Sequence, residues 1–180
     1  MIFKETDLQG VFIIEPKVFL DDRGYFFESF RQNLSSENLN FTPIQDNESY
    51  NKFKNTLRGF HLQKNPMAQA KLVRCVSGKI LDIALDVRKN SDTFGKYFAI
   101  ELSSENKKQL FIPKGFAHAY LTLEDNCIVE YKVDNYYSKE HDVSIKWNDK
   151  DISFPWDITD PILSDKDKEA ISFQEFLSHI

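Results

Sequence analysis

The sequence Phe111-Ile112-Pro113-Lys114-Gly115-Phe116-Ala117-His118 contains the spacing Pro-x-Gly-x-x-His. Proline and glycine are turn formers, and the run that follows reads as a strand that delivers a histidine. Similar short strand-like runs, separated by turn residues and without helical periodicity, occupy residues 44–50, 56–63, 72–76, 79–87, 97–102, 109–112, 117–123 and 127–133. This pattern predicts an all-β sandwich or barrel. The clearest hairpin is predicted at residues 72–87, with its turn at Ser77-Gly78.

Patterns outside this central region are weaker. Residues 11–19 are apolar and β-rich but are broken by Pro16, which suits an edge strand or an arm at a subunit boundary. Asp21 to Gly24 predicts a turn and residues 25–30 a strand, whereas residues 31–40 predict a short helix or a loop at best. Residues 145–147 are a short strand candidate, and an apolar stripe at Phe173, Phe176 and Leu177 predicts a short helix. We expect one domain over residues 1–180.

Composition limits the class of protein and its partners. A formal net charge of −5 without a cluster of arginines argues against a nucleic-acid partner. No apolar run approaches the length that spans a bilayer, so no membrane partner is expected. Acidic residues near the N-terminus are unlike a secretory signal, which predicts a cytoplasmic protein. Cys75 and Cys127 lie in apolar strand-like runs without metal-ligand spacing, so both are predicted to be buried free thiols.

A second histidine lies between two cations. His61 follows Arg58 closely and precedes Lys71, which suggests a base facing an anionic or enolising substrate. The alternative is a strand histidine with a satisfied hydrogen bond and two surface cations. On a regular strand, Arg58 and His61 would point to opposite faces. Gly59 between them predicts a bulge that realigns one of the two side chains.

Residues 80–87 alternate between two differing faces. Leu81, Ile83 and Leu85 share one face of the predicted strand, and both acids, Asp82 and Asp86, share the other. The acidic face is either solvated or turned into a polar barrel interior. The alternation is compatible with both arrangements.

The Pro-x-Gly-x-x-His spacing resembles the second half-motif of cupin barrels. Metal-dependent cupins usually add a His-x-His pair and a glutamate, because a metal needs three or four converging ligands. The matching position reads His61-Leu62-Gln63, which leaves two histidines without an obvious third ligand. The sequence therefore favours a metal-free site, in which His118 donates a hydrogen bond to substrate and a strand carboxylate such as Asp82 orients it. A metal-dependent oxygenase and a non-catalytic nucleotide-sugar-binding cupin are the alternatives.

Ordered motifs over nearly the whole chain extend this resemblance. They are Asp22-Arg23-Gly24 with Glu28, Gln45-Asp46-Asn47, Leu57 to Gln63, Lys71-Leu72-Val73-Arg74, Thr93-Phe94-Gly95-Lys96, Pro113 to His118, Tyr131-Lys132 with Tyr136-Tyr137, and Leu163 to Asp167. The chain is identified by them as a member of the dTDP-4-dehydrorhamnose 3,5-epimerase family, metal-independent cupins of deoxysugar biosynthesis. The resemblance implies a cupin-type double-stranded β-helix, or jelly roll, with a few short peripheral helices. It also implies a homodimer.

The resemblance implies roles for four residues in moving a proton next to a ketone. His61 would be the base, Lys71 would neutralise the enolate, and Tyr131 would return a proton from the opposite face. Asp167 would orient His61, although Ser164-x-x-Asp167 is also a plausible helix cap. The implied substrate is a dTDP-4-keto-6-deoxyhexose, whose own ketone makes any cofactor unnecessary. Epimerisation at C3 and C5, or at C3 alone, both fit these residues.

The remaining implied contacts serve the nucleotide and the sugar. Phosphates require cations, and a pyrimidine base requires an aromatic face such as Tyr137. At Asp142, relatives often carry the longer glutamate. The implied substrate-binding residues are Arg23, Glu28, Gln45, Asp46, Asn47, Arg58, Lys71, His118, Tyr137, Asp142 and Lys166.

Overall fold

The structure is a computed structural model that describes residues 1–32, 39 and 41–179. Most of the stretch 31–40, predicted as a short helix or loop, lies outside these residues. The described strands are β1 (Ile2–Glu5), β2 (Phe12–Glu15), β3 (Val18–Asp21), β4 (Gly24–Phe27), β5 (Gln45–Asn51), β6 (Leu57–Gln63), β7 (Lys71–Ser77), β8 (Lys79–Asp86), β9 (Tyr97–Ser103), β10 (Gln109–Ile112), β11 (Phe116–Thr122), β12 (Cys127–Val133) and β13 (Asp142–Ser144). The described helices are α1 (Asp165–Lys168) and α2 (Phe173–Ser178).

Two antiparallel sheets face each other, as the strand pattern predicts. One has the order β1-β2-β10-β7-β12-β5, the other β13-β6-β11-β8-β9, and β3 pairs with β4 in a separate hairpin. The turn at Pro113 to Gly115 carries the chain from β10 in the first sheet to β11 in the second. The Ser77-Gly78 turn does the same between β7 and β8, so the hairpin predicted over residues 72–87 is wrong. Each of these two strands pairs with other strands in its own sheet.

The interior between the sheets is apolar over much of its length. It contains side chains from both sheets, among them Val73, Ile80, Leu110 and Val129. Asp82 shares the inward face of β8 with Ile80 and is fully buried, so the solvated alternative for this face is wrong. Both cysteines are buried and free, which confirms that prediction.

The outward face of the five-stranded sheet is covered by the C-terminal segment. Ile83 and Leu85 of β8 pack in one cluster with Phe173 and Phe176 of α2, which confirms the predicted apolar helix stripe. The strand predicted at residues 145–147 is wrong in position, because β13 ends at Ser144. None of the helices among the described residues has the length and apolar character needed to cross a membrane.

The predicted bulge at Gly59 is present in the pairing of β6 with β11. His61 lies opposite His118 and Arg58 lies opposite Tyr120, so two residues on β6, Gly59 and Phe60, match one residue on β11. The extra residue brings Arg58 onto the same face as His61. Gly59 has a φ of 119°, where L-residues are rarely found.

We expect Gly59→Ala to lower the free energy of unfolding by about 3 kcal/mol or more, because backbone strain and a steric clash act together. An added Cβ would lie 2.5 Å from the carbonyl oxygen of His118. Gly95→Ala is the control, since Gly95 has a φ of 75° but no atom within 4 Å of an added Cβ. It should cost about 1 kcal/mol. Urea denaturation measures both, and equal losses would contradict the proposed clash.

Candidate active site

A pocket of about 170 Å³ opens between the two sheets, where the inward side chains change from apolar to polar. Eight of the residues predicted from the sequence lie around it: Gln45, Asn47, His61, Lys71, Tyr131, Tyr137, Asp142 and Lys166. β6 contributes His61 from the five-stranded sheet. β7 and β12 contribute Lys71 and Tyr131 from the six-stranded sheet, so these groups approach the pocket from opposite sides.

His61 is hydrogen-bonded to Asp167 behind the pocket. The distance between His61 Nε2 and Asp167 Oδ1 is 2.5 Å, and the Asp167 side chain is 2% exposed. Ser164 caps α1 by accepting a hydrogen bond from the backbone N–H of Asp167, and its hydroxyl donates to Asp167 Oδ2 at 2.7 Å. The two interpretations of Ser164-x-x-Asp167 are therefore compatible, because the backbone of Asp167 is capped while its carboxylate contacts His61.

The electrostatics of this pair determine which nitrogen of His61 is free. Burial raises the pKa of Asp167, but the hydrogen bonds from His61, Ser164 and the backbone of Gly59 outweigh it and hold that pKa below 3.8. An ionised carboxylate can only accept, so His61 Nε2 carries a proton and Nδ1 is left to act as a base. Burial lowers the pKa of His61 below 6.5 despite the opposing effect of Asp167. The imidazole is therefore neutral near pH 7.

Lys71 and Tyr131 are neighbours on the opposite sheet. Lys71 Nζ lies 5.9 Å from the Tyr131 ring centroid and donates to the backbone oxygen of His61 at 3.5 Å. Burial lowers the pKa of Lys71 to about 8, although the charges of Asp142 and Asp82 favour the ammonium form. Burial raises the pKa of Tyr131, which keeps its hydroxyl protonated at neutral pH. The site thus holds a cation and a proton donor facing a neutral base.

His118 forms a second histidine–carboxylate pair inside the barrel. Its Nε2 lies 2.7 Å from Asp82 Oδ1, as the sequence suggested, and both side chains are buried. Its Cα is paired with that of His61 on the neighbouring strand. No group of three or more His, Cys, Asp or Glu side chains among the described residues is arranged to hold a metal ion.

The mouth of the pocket is formed around Asp142. Its Oδ2 accepts from Lys166 Nζ at 2.5 Å and from the Tyr137 hydroxyl at 3.1 Å. The Tyr137 residue is 59% exposed, so its ring is accessible at the entrance. Asp142 thus connects the predicted stacking residue to a predicted phosphate-binding cation.

Two glutamines complete the pocket and were not predicted as site residues. Gln63 Nε2 donates to the backbone oxygens of Met67 and Tyr136, and its Oε1 accepts from the backbone N–H of Ser138 at 2.6 Å. Gln69 Nε2 donates to a loop carbonyl at 2.7 Å. The alternation of side chains along a strand could have predicted both glutamines, since Gln63 is two residues after His61 and Gln69 is two residues before the inward-facing Lys71.

Five predicted binding residues do not line this pocket within one chain. Two of them, Arg58 and His118, lie on the inward face of the five-stranded sheet, where they contact Asn51 and Asp82. The other three lie elsewhere. The Arg23 side chain is 90% exposed and pairs with Asp21 at the β3–β4 turn. Glu28 pairs with Arg31. Asp46 lies on the outward face of β5, where Lys132 Nζ is 2.7 Å from its carboxylate, because alternation turns it away from Gln45 and Asn47. Its predicted role as a substrate contact is not supported by this placement.

Comparison with known proteins shows the family of this chain. A family model described as dTDP-4-dehydrorhamnose 3,5-epimerase matches residues 5–175. The dTDP-4-dehydrorhamnose 3,5-epimerase of Salmonella typhimurium is 48% identical over 173 residues, which cover 94% of each chain. The chain belongs to the dTDP-4-dehydrorhamnose 3,5-epimerase family. Members of this family are isomerases.

Solved structures of this epimerase family have the same fold. The crystal structure of the Bacillus anthracis 3,5-epimerase with TDP and PPi bound is 45% identical with a TM-score of 0.90, covering 96% of this chain and 99% of that one. The Legionella pneumophila dTDP-6-deoxy-D-glucose-3,5-epimerase in complex with dTDP-4-keto-L-rhamnose is 38% identical with a TM-score of 0.89, covering 96% and 93%. These neighbours confirm the predicted cupin jelly roll.

We expect Asp167→Asn to lower the pKa of His61 further, by about one pH unit or more, because the imidazolium loses its anionic partner. NMR titration of the imidazole resonances measures this in the intact protein. Asp82→Asn is the matched control, since Asp82 pairs with His118 instead and should leave the His61 titration unchanged. An unaltered His61 pKa in Asp167→Asn would contradict the proposed coupling.

We expect one lysine of this epimerase to titrate near pH 8, because burial lowers the pKa of Lys71 to about 8 from 10.5. The ammonium is present below that pH and is lost as the pH rises through it. NMR of protein labelled at the lysine ε-carbons would resolve the signal, and Lys71→Met should remove it. If every lysine titrates near its ordinary value, the predicted pKa of Lys71 is wrong.

Proposed function

We propose that this protein epimerises dTDP-4-dehydro-6-deoxy-D-glucose at C3 and C5 to give dTDP-4-dehydro-L-rhamnose. The observation that carries the proposal is the geometry of the pocket. A neutral histidine base with an oriented tautomer enters from one sheet, and a cation and a protonated tyrosine enter from the other. Removal and return of a proton on opposite faces of one carbon requires this arrangement.

The reaction divides into two proton transfers at each carbon. His61 Nδ1 removes the proton next to the C4 ketone. The electron pair of that C–H bond forms the carbon–carbon double bond of an enolate, and the π pair of the ketone moves onto its oxygen. The Lys71 ammonium stabilises the resulting enolate, with His118 as a hydrogen-bond donor. The Tyr131 hydroxyl then protonates the same carbon from the other face, which inverts its configuration. Solvent returns a proton to the tyrosinate and removes one from His61.

The pocket mouth suits the nucleotide part of the substrate. The exposed Tyr137 ring can stack on thymine, and the Lys166 and Arg58 cations can neutralise the two phosphates. Gln45 Nε2 donates to Asn47 Oδ1 at 2.9 Å, which places two amides on the inward face of β5 for polar contacts. Asp142 supports this mouth by binding both Lys166 and Tyr137.

We further propose that the chain functions as a homodimer. The β3–β4 hairpin exposes large apolar side chains, including Leu20 at 81% and Phe26 at 71%, which a second subunit would bury. The same hairpin bears Arg23, and Glu28 follows it directly, so both could reach a neighbouring pocket rather than their own. Sedimentation velocity tests this association.

We propose one catalytic domain per chain, acting in the cytoplasm, where its two free thiols stay reduced.

Incubation with the 4-keto sugar nucleotide in deuterated water, followed by NMR, tests the reaction and the carbons involved. We expect deuterium at both C3 and C5, because relatives that are 47% and 48% identical to this chain are named as 3,5-epimerases. Deuterium at C3 alone would indicate a C3-only epimerase. Deuterium at neither carbon would disprove both epimerase activities. Loss of activity on chelation would support a metal-dependent site.

His61→Asn should lower the rate of exchange at both carbons by at least about a thousandfold, since the group that removes the proton is lost. Tyr131→Phe should retain exchange but lose inversion, because the first proton transfer does not need the tyrosine. Asp46→Asn is the control, since its carboxylate lies on the opposite face of β5, and its rate should match the parent protein. Retained exchange in His61→Asn would disprove its role as the base.

A further inference from the structure

Asn51 is a buried amide at the end of β5 that none of the proposed steps uses. Its side chain is on the inward face, where the residue is 2% exposed. Asn51 Nδ2 donates to the backbone oxygens of Ser49 and Cys127, each at 3.3 Å. Both amide protons are thereby committed to carbonyl acceptors. The orientation of the amide is fixed, and its Oδ1 must point the other way.

The Oδ1 atom of Asn51 contacts Arg58. Arg58 Nε donates to it at 2.9 Å, and the Tyr120 hydroxyl approaches it at 3.4 Å. Tyr120 lies opposite Arg58 in the bulged ladder, and its hydroxyl is 2.7 Å from Ser49 Oγ. Asn51 therefore holds the side chain that the Gly59 bulge has turned inward.

The rest of the guanidinium is available to a ligand. Both terminal nitrogens of Arg58 are without a hydrogen-bond or ion-pair partner among residues 1–32, 39 and 41–179. The charge acts on the pocket, since Arg58 opposes the effect of burial on the pKa of Tyr131. An amide is a neutral acceptor, so Asn51 orients the cation without cancelling its charge. A carboxylate at this position would compete with an anionic ligand.

We infer that Asn51 is a positioning residue that aims the free edge of Arg58 at the diphosphate of the sugar nucleotide. This inference rests on the proposed function, in which Arg58 neutralises phosphate. Without the amide, the flexible arginine would have to be ordered by the ligand, and this ordering would weaken binding. The proton transfers at the sugar ring would be unaffected once the substrate is bound.

Calorimetric binding of dTDP, together with steady-state epimerisation kinetics, tests this inference on the full chain. We expect Asn51→Ala to weaken dTDP binding about fivefold to tenfold and to raise KM by a similar factor, with kcat within about twofold of the parent. In an Arg58→Ala background, the same substitution should change dTDP affinity by less than about twofold, because the residue it positions is absent. Asn51→Ser, which is too short to reach Arg58, should behave like Asn51→Ala.

Ser49→Ala is the matched control. It lies on the same strand and face, contacts Tyr120 but not Arg58, and should leave dTDP affinity unchanged. Thermal unfolding followed by circular dichroism shows which of the Asn51 variants is folded at the assay temperature. Normal dTDP binding by a folded Asn51 variant would overturn the inference, as would equal losses in the parent and Arg58→Ala backgrounds. If the parent chain neither binds dTDP nor exchanges deuterium, the proposed function itself fails.

Discussion

The hydrogen bond between Asp167 and His61 connects the chemistry of the site to the fold. It spans 106 residues of sequence and joins the C-terminal segment to β6. The same carboxylate also accepts hydrogen bonds from Ser164 and the backbone of Gly59, which is the bulged residue. A buried carboxylate is costly unless it is fully paired, and these three donors meet that requirement. The helix cap, the bulge and the tautomer of the base are therefore coupled at one side chain.

A polar site inside a barrel requires apolar packing elsewhere along the same strands. On β7 the inward side chains change from Cys75 and Val73, which lie in the core, to Lys71 in the pocket. On β12 they change from Val129 to Tyr131 in the same way. The apolar end stabilises the sandwich, while the polar end holds charged groups that would otherwise destabilise it. The lowered pKa of Lys71 and the raised pKa of Tyr131 are consequences of this partial burial.

Local sequence patterns were reliable for structural features that depend on a single strand. The strand runs between residues 44 and 133, the buried free cysteines and the bulge at Gly59 were predicted from residue type and alternation, and the structure confirms them. The hairpin at Ser77-Gly78 was predicted wrongly, because a tight turn can join two sheets as well as two paired strands. Local sequence does not show which strands a given strand will meet.

The placement of Asp46 shows the same limit of local sequence within a single motif. Gln45, Asp46 and Asn47 are adjacent in a matching sequence, yet β-strand alternation sends the central carboxylate to the outside. Similarly, the alternation along β8 was compatible with either an exposed or a buried Asp82. Only the position of the second sheet shows that this residue is buried. Residue types and spacing thus specified the strands, the family and most of the chemical groups. The pairs of His61 with Asp167 and of His118 with Asp82 were expected from the resemblance and the strand pattern. Their geometry, and the contact of Arg58 with Asn51, arise only on folding, because each joins segments that are separate along the chain.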